Sequence, residues 1–297
     1  MRLFGGPPDP NEARQAESIR QIEQGGLPLN AVDRLREASA KPGFFTSDLS
    51  VSELLLTHDS GFSPVGQVMG SSVYHVGWQQ IWNTSSELDV QTQAYAEARG
   101  LAFSRMQQEA SILGADGVVG VRLHRNTNDW GVGLVEFVAI GTAVKRLNAP
   151  PRSSDTKPFV SNLSGQDHWA LRQAGMMPIG FAFGNCVFYQ MASWNTASTL
   201  NSGIFGSGWQ NQEITEYTQA LFVARELSSN RMSEEARRLG ADGVVGVTIE
   251  SQIENIPGDQ NRRAALMIHF TVFGTAIKKD PARQTMPEPK VVLGINS

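Results

Sequence analysis

Two long stretches of the chain carry apolar residues at helical spacing. Between Val90 and Leu113, the residues Tyr95, Ala98, Ala102, Met106 and Leu113 fall along one face; between Glu213 and Leu239, the residues Leu221, Ala224, Leu227, Met232 and Leu239 do the same. Gly114 and Gly240 follow directly, where a left-handed residue ends a helix. Each helix is preceded by a segment rich in β-branched and aromatic residues, Val65–Val76 and Ile179–Met191, which predicts a strand. Each is followed by two more strands, Gly117–Arg125 with Leu134–Lys145 and Gly243–Glu250 with Ala265–Lys278. A capping box at Ser50–Glu53, and a weaker one at Ser164–Asp167, starts a short helix that stops at Gly61 or Gly175. The pattern α-β-α-β-β therefore runs twice, with each final pair a hairpin and each long helix covering one face of a small antiparallel sheet.

The residues repeat as well as the pattern. LGADGVVGV occupies Leu113–Val121 and Leu239–Val247. Phe-x-Ser-x-Leu-Ser (Phe45–Ser50, Phe159–Ser164), a Gly-x-x-Pro-x-Gly-x-x-x-Gly pattern (from Gly61 and Gly175), Trp-Asn-Thr (Trp82, Trp194) and Gly-Thr-Ala with a following Lys (Gly141–Lys145, Gly274–Lys278) recur in the same order. Residues 44–147 and 158–280 read as tandem copies of one unit. Residues 1–43 form an extension with two short helices, Asn11–Gln24 and Asn30–Ala38, split by Gly25, Gly26 and Pro28. Residues 148–157 are a Pro/Ser-rich linker and 281–297 a Pro-rich tail.

Composition narrows the function. A net charge of -4 across 297 residues lacks the basic excess needed to neutralise phosphates, so a nucleic-acid binder is not expected. One cysteine excludes an intrachain disulfide or a thiolate-rich metal site within one chain. Met1–Pro10 lacks the apolar core of a secretory signal, and no apolar run is long enough for a membrane span, so a cytoplasmic protein is expected. Charged residues are only 18%, and Gln173–Gln212 and Ser60–Ser86 contain none at all. Long uncharged stretches with Trp predict burial between subunits, because interface cores are depleted in charge. Trp78, Trp82, Trp194 and Trp209, with Val73 and Val187 on the first strands, are the expected oligomer interface.

The run Leu-Gly-Ala-Asp-Gly-Val-Val-Gly-Val after an alanine-rich helix, closed by Gly-Thr-Ala-Val-Lys, resembles the YbjQ-like family, whose domain carries the label "putative heavy-metal-binding". The likeness covers both copies. It implies a dodecin-like β-α-β-β subunit assembling into rings, typically pentamers. Two copies per chain and a helical extension depart from that single-domain pattern, so the ring becomes a double-decker or one with doubled subunits. The dodecin-like architecture can hold flavin, so the Trp loops are also candidates for a flat ligand.

The metal label meets few ligands. The five histidines are His58, His75, His124, His168 and His269, with no H-x₃-H or C-x-x-C spacing. His75 aligns with Tyr189 and Cys186 with Ser72, so neither copy keeps a set. His75, His124 and His269 are the metal candidates, and only a symmetric ring gathering one His from each subunit would bring ligands together; no resident cofactor is expected. His124 aligns with Glu250 and Glu136 with His269, so each hairpin carries one His and one Glu on exchanged strands. This predicts cross-strand pairs His124–Glu136 and Glu250–His269, in which the carboxylate would raise the His pKa. Asp116 and Asp242 sit in Gly-Ala-Asp-Gly turns and are expected to bond backbone N–H groups. Arg105/Glu109 and Arg231/Glu235 are spaced i, i+4, as exposed helix pairs or as bridges between subunits. Cys186 reads as a small buried residue.

No catalytic residue is identified. The expectation is a non-enzymatic, self-assembling homo-oligomer, a ring or closed-shell scaffold; the alternative is a heavy-metal- or small-ligand-binding module with sites formed between subunits.

Overall fold

The computed structural model describes residues 10–41, 43–77, 84–127, 133–148, 150, 153, 156–196, 213–257 and 263–280. An N-terminal hairpin of helices α1 (Pro10–Glu23) and α2 (Leu29–Ala40) turns at Gly25, whose φ of 80° needs a glycine. The first copy follows as α3 (Val51–Asp59), β1 (Phe62–His75), β2 (Ser86–Glu87), α4 (Asp89–Ile112), β3 (Gly117–Thr127) and β4 (Leu134–Arg146). The second follows as β5 (Phe159–Val160), α5 (Gly165–Gln173), β6 (Met176–Met191), α6 (Thr215–Arg238), β7 (Gly243–Ile256) and β8 (Ala265–Lys279). The mixed α+β class and the long-helix-on-sheet arrangement agree with the sequence reading. Ser50 forms the full capping box with Glu53, while Ser164 caps α5 without the reciprocal bond.

Each long helix lies directly on its first strand at a glycine. A Cβ on Gly70 would stand 1.9 Å from the Ala102 carbonyl oxygen, and one on Gly184 would stand 1.9 Å from that of Ser228. Ala98, Ala102, Met106 and Ala110 of α4 face this contact and are fully buried. In α6, Ala220, Ala224, Met232 and Ala236 form the matching buried face. Asp116 and Asp242 close the helix-to-strand turns by accepting from the Arg146 and Lys279 N–H groups at 2.7 and 2.9 Å.

The sheets are not separate property of the two copies. Their strand orders are β1-β4-β3-β5 and β2-β6-β8-β7. β5, from the start of the second copy, pairs parallel with β3 of the first, and β2 of the first pairs antiparallel with β6 of the second. The hydrophobic core containing Ala98, Ala102 and Met106 runs across this seam to Phe181, Phe183, Val187 and Phe273.

The register corrects the expected His–Glu pairs. His124 faces Val138 while Glu136 faces Asn126; Glu250 faces Thr271 while His269 faces Gln252. Glu136 accepts from the Asn126 side chain at 2.9 Å instead. The register before the bulge already sets His124 towards Phe137 and His269 towards Ser251, and an extra residue in β3, between Val119 and Arg122, and in β7, between Val245 and Thr248, moves each one place further from its Glu. Gly120 and Gly246 take φ of 65° and 61° there. A bulge shifts every pair beyond it.

Candidate functional site

A dense polar network lies at the seam between the copies. Glu87 of β2 receives two bonds from the Arg231 guanidinium of α6, at 2.5 and 2.8 Å, while Arg231 also donates to the Asn185 carbonyl at 2.8 Å. Thr92, in the first turn of α4, donates to Glu87 at 2.9 Å, accepts from the Val187 N–H at 2.9 Å and offers its carbonyl to the Asn185 amide at 2.9 Å. Burial alone would raise the Glu87 pKa. The bonds from Arg231 and Thr92 together outweigh it and hold the carboxyl below its ordinary value.

A second contact runs alongside. Arg99 of α4 lies 3.5 Å above the Phe183 ring and 3.9 Å from Glu235, whose carboxylate accepts from the Phe183 N–H at 2.9 Å. Burial pulls the Arg99 guanidinium down to about 10, countered in part by Glu235. On the other flank, the backbone from Phe159 to Leu163 threads along β3, with Ser161 donating to the Val118 carbonyl and Gly120 and Val121 donating to Leu163 and Ser161. The side chains of Ser161 and Asn162 reach Thr275 of the second copy, at 3.0 and 2.7 Å. One continuous strap thus joins both sheets.

The seam corrects several expectations. Val187 is 2% exposed and covered by its own chain, because β2 and the start of α4 close over the β6 edge. Arg105/Glu109 and Arg231/Glu235 are not exposed i, i+4 pairs: Arg231 and Glu235 face the other copy, and Glu109 accepts from the Met69 N–H at 2.8 Å and from Arg34 of α2 at 3.3 Å. Arg105 donates to the carbonyls of Ser71, Ile22 and Gly26. His269 lies under Tyr95, with ring centroids 5.3 Å apart, and its pKa is pushed down to about 4 by burial and by Arg125, the reverse of the expected carboxylate effect. None of these partners carried a local signal, although the matched positions of Arg105 and Arg231 in the two copies did mark them as equivalent.

The other predicted residues fall in different places. Trp194 is 75% exposed, with the Arg263 guanidinium 5.2 Å from its ring, and Val73 on β1 is 55% exposed. Trp78, Trp82 and Trp209 lie outside the described residues. Cys186 is buried, and its thiol is pushed up to about 12 by burial and by Glu87, which leaves no thiolate for nucleophilic chemistry. Among the described residues, no three His, Cys, Asp or Glu side chains converge as metal ligands, so the described residues of one chain do not make up a ligand set for the implied heavy metal. His75 and His124 stand on different strands, and His269 is enclosed in the seam. A cleft of about 370 Å³ under α2 is lined by Leu35, Phe45, Val65, Met69 and Leu113, with the Arg34–Glu109 pair at its side. That pair is the lining's ionic contact, and its two charges neutralise one another.

The described chain is thus two tandem α+β units joined by exchanged strands across a polar seam. The sequence model of the YbjQ family, described as "putative heavy-metal-binding", matches residues 67–146 and 179–280, and the chain belongs to that family. It is 40% identical to an encapsulin nanocompartment protein of Mycobacterium tuberculosis over 93% of this chain and 100% of that one. A UPF0145 protein of Thermus thermophilus is 42% identical over 24% of this chain and 55% of its own length. A UPF0145 protein of Methanococcus vannielii is 36% identical over 27% of this chain and 80% of its own length.

Proposed function

We propose that this chain is a non-enzymatic subunit of a self-assembling, homo-oligomeric scaffold, a ring or closed shell, working in the cytoplasm. The observation that carries this reading is a pair of sheet edges, β1 and β7, that have no further strand beside them among the described residues. β1 ends one sheet with Met69 and Val73 46% and 55% exposed; β7 ends the other with Val247, Ile249 and Ile253 all near half exposed. Apolar edges left open are templates for pairing with another chain. Trp194 and Phe222 add exposed aromatic surface. The likeness to the mycobacterial nanocompartment protein spans nearly the whole chain and favours a shell-type role over a ligand-binding one. A dodecin-like plan for each unit and pentamer-type symmetry fit the same reading. Among the described residues no helix is long and apolar enough to cross a membrane.

Mass photometry of purified protein tests this: the expected result is a discrete high oligomer, and a lone chain at micromolar concentration would overturn it. Elemental analysis with and without chelator runs beside it. Stoichiometric metal whose removal dissolves the assembly would replace the scaffold reading with the metal-binding one.

A further inference from the structure

The two copies present the same docking face, and it is filled differently in each. On the second copy, Arg231 takes Glu87 and Glu235 takes Arg99, both from the first copy. The matching face of the first copy is built from β1, Arg105 and Glu109. Arg105 holds the Ser71 carbonyl as Arg231 holds that of Asn185, and Glu109 holds the Met69 N–H as Glu235 holds that of Phe183. Here the N-terminal hairpin stands in for a neighbouring copy. The carbonyls of Ile22 and Gly26 supply the acceptors for Arg105, and Arg34 supplies the cation for Glu109. The hairpin does not reach the rest of the face. Val73 stays 55% exposed where Val187 is 2%, and Met69 stays 46% exposed where Phe183 is 4%.

The second copy carries an unused set of the groups that would fill that face. Glu213 accepts from Thr218 at 2.8 Å, as Glu87 does from Thr92 at 2.9 Å. Arg225 occupies the α6 position that Arg99 holds in α4, and it is exposed. The flank matches too. β7 is open at Val247, 46% exposed, where β3 is covered at Val121, 4% exposed, by the Phe159–Leu163 strap. The equivalent strap, Phe45–Leu49, bonds Thr142 of its own copy through Ser47 and Asp48, at 3.0 and 2.6 Å. Phe44 and Phe45 beside it are 86% and 41% exposed.

We propose that the β1 face of the first copy binds the second copy of another chain of the same sequence, head to tail, with Glu213 on Arg105, Arg225 on Glu109 and the Phe45–Leu49 strap along β7, and that the α1–α2 hairpin caps this face until it is displaced. This rests on the self-assembly reading and adds its geometry. The contact is heterologous, so repetition closes a ring or propagates. Because the hairpin competes for Arg105 and Glu109, the apparent docking constant is the intrinsic one divided by the fraction of chains that are uncapped.

The test uses the full chain and three forms, wild type, the double variant E213R/R225E, and R34A, each followed by native mass spectrometry over a concentration series. Glu213 and Arg225 are exposed in the single chain, and near-UV circular dichroism checks that the variants keep native packing. Reversal at both contacts places like charges opposite each other and should raise the half-assembly concentration by at least about 100-fold. Loss of Arg34 frees the cap and should lower that concentration by about fivefold. An E213R/R225E protein that assembles at wild-type concentration overturns the docking geometry and leaves self-assembly standing. An unchanged midpoint for R34A overturns the cap. If all three stay single chains, self-assembly itself fails and takes the docking with it.

Discussion

Replacing Arg231 with Met isolates the electrostatics of the seam. The guanidinium makes two bonds to Glu87 and one to the Asn185 carbonyl, and the side chains of the pair are 37% and 15% exposed. Removing one partner of a fully buried ion pair costs about 3–5 kcal/mol, since the other charge is stranded. The partial exposure of Arg231 lets water replace some of that, so the loss at pH 7 should be about 2 kcal/mol. For a chain of 297 residues that is a fall in Tm of about 3 °C. The pH dependence separates this cause from lost packing. In the wild type the Glu87 pKa is depressed below 4.5. Its stabilisation is present above that value and disappears as pH falls through the folded pKa. Without Arg231, burial becomes the dominant influence, the folded pKa rises, and the stranded carboxylate is relieved by protonation on acidification. The gap between the two proteins should therefore narrow from pH 7 to pH 4. Urea unfolding at both pH values, at one fixed protein concentration, reads it directly. A gap of under about 0.5 kcal/mol at pH 7, or one that widens in acid, would refute the assignment of the seam's strength to this ion pair.

Two further outcomes follow from the packing. Gly70→Ala and Gly184→Ala each drive a Cβ onto a helix carbonyl at 1.9 Å and should abolish soluble folded protein, whereas Gly100→Ala, with nothing within 4 Å on the exposed side of α4, should stabilise by about 0.5–1 kcal/mol; thermal melts of the three compare them. His168 is fully buried with neither ring nitrogen hydrogen-bonded among the described residues, and burial followed by Arg172 pushes its pKa down to about 4. Because the unfolded chain binds the proton first, stability should fall as pH drops from 6.5 towards 4, and imidazole NMR should show no titration of His168 above pH 5.

Much of the architecture was legible in the residues themselves. The helical spacing from Tyr95 to Leu113, the capping box at Ser50–Glu53, and the glycines closing each helix are local signals, and local sterics enforce them. The doubled LGADGVVGV run made the tandem organisation and the family plain, and it matched Arg105 with Arg231 and Glu109 with Glu235. What those matched residues touch was decided only in three dimensions. Val73 and Val187 are the same residue at equivalent positions, yet one is open and the other sealed, because β2 happens to reach the β6 edge and nothing equivalent in the described chain reaches β1. The facing partners of His124 and His269 depended on single inserted residues at Gly120 and Gly246, where a bulge moves the register of everything beyond it. Periodicity records which side of an element is apolar; which body arrives to cover that side is a non-local event, set by packing between segments far apart in the chain.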